Sequence, residues 1–79
     1  MYFVYILKSC QDGSKYIGST NNIKRRIREH NSGGVRCTRL KRPYKLIWFS
    51  CFVKKTGAYN FERYLKSSSG YAFTKKRLI

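Results

Sequence analysis

"YFVYILKSCQDGSKYIGST", Tyr2 to Thr20, decides how this chain begins to fold. Residues 2–9 are aromatic and β-branched with no breaker, so they read as a strand. The run is nearly all apolar, which fits a strand covered on both faces. "QDGS", Gln11–Ser14, carries an Asp-Gly pair, a hairpin turn signal, and residues 14–18 return as a second, antiparallel strand. With Asp12 and Gly13 as a two-residue loop, Cys10 faces Lys15 and Ser9 faces Tyr16. Alternate residues of a strand point the same way. Tyr16 then shares a face with Leu7, Tyr5 and Phe3, at roughly 13 Å from Tyr5 by strand rise. A longer loop or a bulge would bring the two tyrosines closer.

Beyond the hairpin, "STNN" at 19–22 offers hydroxyl and amide side chains of the kind that cap helices, and a helix is expected over 22–31 with Ile23 and Ile27 inward. Arg26 and His30 stand i, i+4 along one edge of that stripe. Lys24, Arg25 and Arg28 point to solvent, and Glu29 reads as the ion-pair partner of Arg25. "NSGG" ends the helix, with Gly33 or Gly34 in the left-handed conformation. Residues 35–43 form a basic, irregular link whose Arg36, Arg39, Lys41 and Arg42 are free to reach a phosphate backbone. "YKLIWFSCFV", 44–53, is a further strand with Trp48, Phe49 and Phe52 as major core residues. "KKTG" breaks it, and a helix over 57–67 turns Ala58, Phe61 and Leu65 inward with Glu62 beside them. "SSSG" breaks that helix, and residues 71–79 form a last short helix with Phe73 and Leu78 inward. The expectation is one α+β domain over residues 1–79, a small three-stranded antiparallel sheet flanked by helices in the order β-β-α-β-α-α.

Charge is the strongest compositional signal. Eighteen Lys and Arg stand against three acids, for a net charge of +15. So basic a chain calls for a polyanionic partner, nucleic acid first. An anionic membrane surface would want a helix with large apolar residues along one face, whereas the best helix here has only two isoleucines. No run approaches the ~18 apolar residues of a membrane span, and no secretory signal pattern precedes "YFVYIL". Cys10, Cys37 and Cys51 are odd in number and widely spaced, which fits neither a disulfide framework nor a paired zinc motif. A reducing cytoplasm is the expected location.

The acids narrow the chemistry. A two-metal nuclease wants several carboxylates. Here Asp12 belongs to the turn and Glu29 to an ion pair, leaving Glu62. His30 is the single histidine, and no Gly-rich phosphate loop follows a strand. Tyrosine, arginine and one glutamate remain, a set sufficient for phosphodiester hydrolysis. A divalent cation held by Glu62 and waters would polarise the phosphate. Arginine would stabilise charge on the pentavalent phosphorus. A tyrosine hydroxyl, its pKa lowered by nearby cations, would orient or deprotonate the attacking water. Each residue also has a plainer reading. Tyr5 and Tyr16 pack; Glu62 pairs with Lys66 four residues on; His30 is a satisfied structural histidine; the cysteines are small apolar residues.

The spacing joins these residues. "FVY" at 3–5, "YIG" at 16–18 and "NIKRRIREHN" at 22–31 resemble the GIY-YIG nuclease family, and "NFERYLK" at 60–66 extends the likeness to nearly the whole chain. It looks most like the small, standalone, single-domain bacterial members. The resemblance implies the same three-stranded sheet with flanking helices, a single Mg²⁺ or Mn²⁺, and cleavage of DNA. It implies that Tyr5 and Tyr16 line the site, one of them positioning or activating water. Arg26 would hold the scissile phosphate, His30 would support proton transfer or phosphate binding, and Glu62 would bind the metal. Lys15, Arg25, Arg36, Arg39, Arg42 and Lys66 are the cations expected to meet the nucleic acid. Without an appended targeting domain, such a protein would be weakly selective or depend on a protein partner. Two departures stand out: Phe3 replaces the first glycine, and no asparagine follows Glu62 where many family nucleases have one. The alternative is a non-catalytic nucleic-acid-binding module that keeps the fold and the positive surface.

Overall fold

The computed structural model describes residues 1–78, apart from the side chains of residues 68, 69, 71, 77 and 78. Strands β1 (Tyr2–Ser9), β2 (Lys15–Thr20) and β3 (Tyr44–Phe52) form an antiparallel sheet in the order β2-β1-β3. Helix α1 (Ile23–Asn31) follows the hairpin, and a 3₁₀ turn (Arg39–Lys41) precedes β3. Helix α2 (Lys55–Lys66) leads to α3 (Ser68–Phe73), which runs on into a π-helical turn (Thr74–Leu78). This is the expected α+β architecture in the expected order.

The unbroken apolar run of β1 follows from its central place. Val4 and Ile6 pack with Ala58 and Leu65 of α2 on one face, while Tyr5 and Leu7 pack with Tyr44, Leu46 and Ile27 of α1 on the other. Residues Val4 to Leu7 are at most 1% exposed. A β-bulge falls between Ile6, which pairs with Trp48, and Leu7, which pairs with Leu46. The bulge leaves Ile47 unpaired and sharpens the twist.

The hairpin differs from a two-residue loop. Tyr16 pairs with Leu7 and Gly18 with Tyr5. The Ser9 N–H donates to the Ser14 carbonyl at 2.8 Å, and Gly13, with φ of 74°, closes a wider turn by donating to the Ser9 carbonyl at 3.0 Å. Side chains hold that turn open. The buried Ser9 hydroxyl accepts from Gln11 N–H at 3.1 Å and donates to the Lys41 carbonyl at 2.6 Å. The displacement is two residues, so Tyr16 keeps its face and moves close to Tyr5.

Asn22 caps α1, its side chain accepting from Arg25 N–H at 3.0 Å, worth about 1 kcal/mol. Gly33, with φ of 86°, ends the helix. Helix α2 begins at Lys55 rather than 57, so "KKTG" includes its first turn. The "SSSG" break shrinks to Ser67, and α3 starts at Ser68. Gly70 permits this, because a Cβ there would meet the Tyr64 carbonyl oxygen and stand 2.5 Å from Leu65 Cα. Phe73 joins the α2 core as expected, whereas the side chain of Leu78 lies outside the described residues. Trp48 and Phe52 pack against that core too. Phe49 does not: it pairs with Tyr5 on the α1 face and is 52% exposed.

Candidate active site

The hairpin register sets two tyrosines side by side. Tyr5 on β1 and Tyr16 on β2 are diagonal neighbours on the α1 face, with ring centroids 6.4 Å apart. Gly18, directly opposite Tyr5, makes room for it: a Cβ at Gly18 would stand 2.5 Å from the Tyr5 hydroxyl oxygen. The glycine serves the tyrosine across the ladder.

Helix α1 brings His30 down onto this pair. Its Nε2 lies 2.9 Å from the Tyr5 hydroxyl and its Nδ1 2.7 Å from Thr38 Oγ1. The Tyr16 ring packs edge-on against the imidazole at 4.9 Å. Tyr5, His30 and Thr38 are all at most 1% exposed. The chain of partners has one self-consistent direction. Thr38 Oγ1 donates to the Val35 carbonyl at 3.4 Å, so it accepts from His30 Nδ1–H. Nε2 is then the bare nitrogen, and it accepts the Tyr5 proton.

Electrostatics keep both groups uncharged. Burial pushes the Tyr5 hydroxyl up to about 12, against the pull of the Arg26 guanidinium beside it. Burial, and then Arg26, push His30 below its ordinary value. Tyr5 and His30 are both neutral near pH 7. The expectation of a cation-acidified tyrosine is therefore corrected for Tyr5: desolvation outweighs the neighbouring charge.

Arg26 is the other half of the arrangement. Its guanidinium reaches Glu29 Oε1 at 3.0 Å and keeps about a third of its side chain exposed. Glu29 thus braces Arg26 more closely than its sequence partner Arg25, which stands at 3.7 Å. Arg25 and Arg26 line an open groove of about 290 Å³ between α1 and α2, with Ser19, Lys55 and Tyr59 on its other walls.

Glu62 reaches this region from α2. One oxygen accepts from the Ser19 hydroxyl at 2.6 Å and the other from Lys66 Nζ at 2.7 Å. Ser19 pairs with Val4 and so belongs to the α2 face. Glu62 therefore stands across β2 from the tyrosines, although its charge still acts on Tyr5. Its ion pair with Lys66 is real, as the plainer reading had it. No cluster of three or more His, Cys, Asp or Glu that could hold a metal ion occurs among the described residues. One carboxylate beside a hydroxyl does fit a largely hydrated Mg²⁺, which typically takes one or two carboxylates, waters and substrate phosphates. It does not fit an ion caged by protein ligands.

Of the remaining cations, Lys15, Arg25, Arg36, Arg39, Arg42 and Lys66 are all exposed. Arg39 and Arg42 are less free than expected. Arg39 Nε donates to the Gly33 carbonyl at 2.9 Å, and Arg42 donates to the Arg39 carbonyl at 2.7 Å. Lys41 pairs with Asp12 at 3.2 Å. These contacts give the basic link a shape that sequence pattern could not show. Thr38 and Ser19 were also invisible in the sequence, since each gains its role from a partner many residues away. Gly18 was signalled by "YIG", although its purpose was not.

A β-β-α-β-α-α domain that gathers two tyrosines, an arginine and a histidine on one side of its sheet is a GIY-YIG-like domain. Residues 1–76 match the family described as the GIY-YIG catalytic domain, and the chain belongs to that family. It is similar to a UPF0213 protein of Clostridium perfringens, 48% identical over 67 residues, covering 84% of this chain and 71% of the relative. A UPF0213 protein of Bacillus licheniformis is 45% identical over 69 residues, covering 86% and 70%. The solution NMR structure of a UPF0213 protein from Bacillus halodurans superposes with a TM-score of 0.56 at 36% identity, covering 96% of this chain and 84% of that one.

Proposed function

We propose that this protein is an endonuclease that hydrolyses DNA phosphodiester bonds with the help of one divalent cation. The observation that carries the reading is the buried Tyr5–His30–Thr38 chain ending beside Arg26. A structural tyrosine needs a partner, but it does not need a neutral imidazole oriented to take its proton. In the proposed reaction the Tyr5 oxygen takes a proton from the attacking water as Tyr5 passes its own to His30 Nε2. The water oxygen bonds to phosphorus, and the bridging ester oxygen leaves with the electron pair of the broken P–O bond, then takes a proton from solvent. His30 Nδ1–H, held by Thr38, keeps Nε2 free for its part. Arg26 offers charge-assisted donors to the phosphate oxygens. Tyr16 holds the imidazole edge and completes the wall.

Glu62 would hold the metal, Mg²⁺ or Mn²⁺, once Lys66 moves aside. When bound, the ion supplies polarisation of a phosphate oxygen. The exposed cations Lys15, Arg25, Arg36, Arg39, Arg42 and Lys66 would follow the DNA backbone, and a protein partner would direct the enzyme to its sites. Three exposed cysteines with no disulfide among them fit a reducing cytoplasm. The rival reading, a binding module without catalysis, is favoured by one observation: both Glu62 oxygens are already engaged. Cleavage of single-stranded, duplex and branched DNA with Mg²⁺ or Mn²⁺, compared with Glu62→Gln and Tyr5→Phe, separates the two. Metal-dependent cutting lost in both variants is the expected result; binding without cutting on every substrate favours the module.

A further inference from the structure

Lys55 is a cation in an unfavourable place. It opens α2, where the helix dipole disfavours positive charge, and no acid in that first turn offsets it. Helix stability therefore gives no reason for a lysine there. Its surroundings do. Lys55 lines the groove that Arg25 and Arg26 line from α1, and Tyr59, one turn further along α2, lines it too. Tyr59 is 54% exposed, with the Arg63 guanidinium over its ring at 5.6 Å, a cation–π contact that steadies the ring. The acid in the lining, Glu29, is already paired with both arginines. Ser19, also in the lining, donates to Glu62 Oε1. The groove thus connects the guanidiniums to the carboxylate proposed to hold the metal.

We infer that Lys55 and Tyr59 hold the substrate strand from the α2 side of this groove, Lys55 by its ammonium and Tyr59 by its hydroxyl, each on a phosphate oxygen. The inference rests on the reading that the scissile phosphate of that strand lies at Arg26. Lysine and tyrosine side chains are both ordinary donors to nucleic-acid phosphates. A cleft lined by one sign of charge focuses the field and concentrates an oppositely charged ligand inside it, and here both walls carry cations. At about 290 Å³ the groove is close to the lower end of ligand-pocket volumes. That suits the backbone of one strand and not a duplex. Phosphate contacts fix register without reading sequence, so Lys55 and Tyr59 position the strand between Arg26 and Glu62 and impose no choice of base.

The test is binding of a 5′-phosphorylated thymidine trinucleotide in EDTA, followed by ¹H–¹⁵N NMR. So short a probe cannot span the surface of a chain with net charge +15, and it reports where a strand is held. The backbone amides of Arg25, Arg26, Lys55 and Tyr59 are expected to shift together. Lys55→Gln is expected to weaken binding about tenfold, the size of one lost charged hydrogen bond. The same variant should melt no lower than the wild type, because it relieves the helix dipole. Tyr59→Phe keeps the ring beneath Arg63 and is expected to weaken binding about threefold. Lys45→Gln removes the same charge from an exposed position outside the groove and should cost less than about twofold. Equal losses from Lys55→Gln and Lys45→Gln would overturn the inference, since net charge alone would explain both. Shifts at Arg25 and Arg26 that leave Lys55 and Tyr59 unmoved, or full affinity in both α2 variants, would overturn it and leave the endonuclease reading standing. A protein that binds the trinucleotide nowhere would overturn both.

Discussion

The Tyr5 hydroxyl lies 2.9 Å from His30 Nε2, and neither side chain is more than 1% exposed. Twenty-five residues separate them in the chain. The hairpin, the capped helix and the link that carries Thr38 must all be in place before they meet. Tyr5→Phe removes the proton and leaves a buried nitrogen unpaired. It is expected to cost about 1–3 kcal/mol of stability, read by denaturant unfolding, and about 100-fold or more in cleavage rate. A variant that cuts as fast as the wild type would remove Tyr5 from the chemistry.

Thr38 fixes which imidazole nitrogen is bare. Since the chain contains a single histidine, ¹⁵N NMR of the imidazole reports on His30 alone. The wild type should show Nδ1 protonated and Nε2 bare. Thr38→Val is expected to lose that preference and slow cleavage, whereas Thr38→Ser should retain both. The opposite tautomer in the wild type would reverse the proposed direction of proton flow from Tyr5 to His30.

Two of the shifted groups, His30 and Tyr5, give stability a pH dependence of definite sign. His30 has a folded pKa below its ordinary 6.5, so the unfolded chain binds the proton first as pH falls. Stability is therefore full above about 6.5 and declines as pH drops from there toward the lower folded value. Tyr5 runs the other way: raised from 10.0 to about 12, it contributes stability that is full below 10 and lost as pH rises through 12. Melting temperatures across this range should fall at both ends. His30→Gln should flatten the acid limb just below 6.5, above the carboxylate range where Asp12 and Glu29 titrate; an unchanged limb there in that variant would assign the effect elsewhere.

Gly18 tests whether the Tyr5 position matters. An alanine Cβ would stand 2.5 Å from the Tyr5 oxygen and 2.7 Å from its Cζ. Gly18→Ala should push the ring off His30 at a cost of about 1–3 kcal/mol. The His30 titration should then move toward its ordinary value. A titration that stays put, in a folded variant, would mean that the ring is not displaced.

Much of this was legible in the sequence, for identifiable reasons. Strands and helices follow from period and breakers, and the shared face of Tyr5 and Tyr16 follows from parity, which survives a register displacement of two. Their closeness was not legible, because the Ser9 hydroxyl and the Asp12 carboxylate, which accepts from the Ser14 N–H at 2.9 Å, hold the turn wider than Asp-Gly alone requires. Phe49 read as core because apolarity marks strands without saying which end of a face a helix covers. The spacing of Arg26, His30 and Glu62 placed each on the right helix. It could not show that Glu29 braces Arg26, that Thr38 completes the hydrogen-bond chain from Tyr5 through His30, or that Ser19 and Lys66 hold Glu62 across β2 from the tyrosines.

Binding itself should be strongly salt-dependent, because cations that neutralise phosphates release counterions. Between 50 and 200 mM salt the affinity for DNA should fall by about a thousandfold if six or more phosphates are contacted. A flat response would contradict nucleic acid as the partner.

The most direct measurement is single-turnover cleavage of labelled DNA with and without Mg²⁺, for the wild type, Tyr5→Phe and Glu62→Gln. Metal-dependent cutting by the wild type and at least about a 100-fold loss in each variant are expected. Metal-dependent cutting that both variants retain would contradict the proposed function.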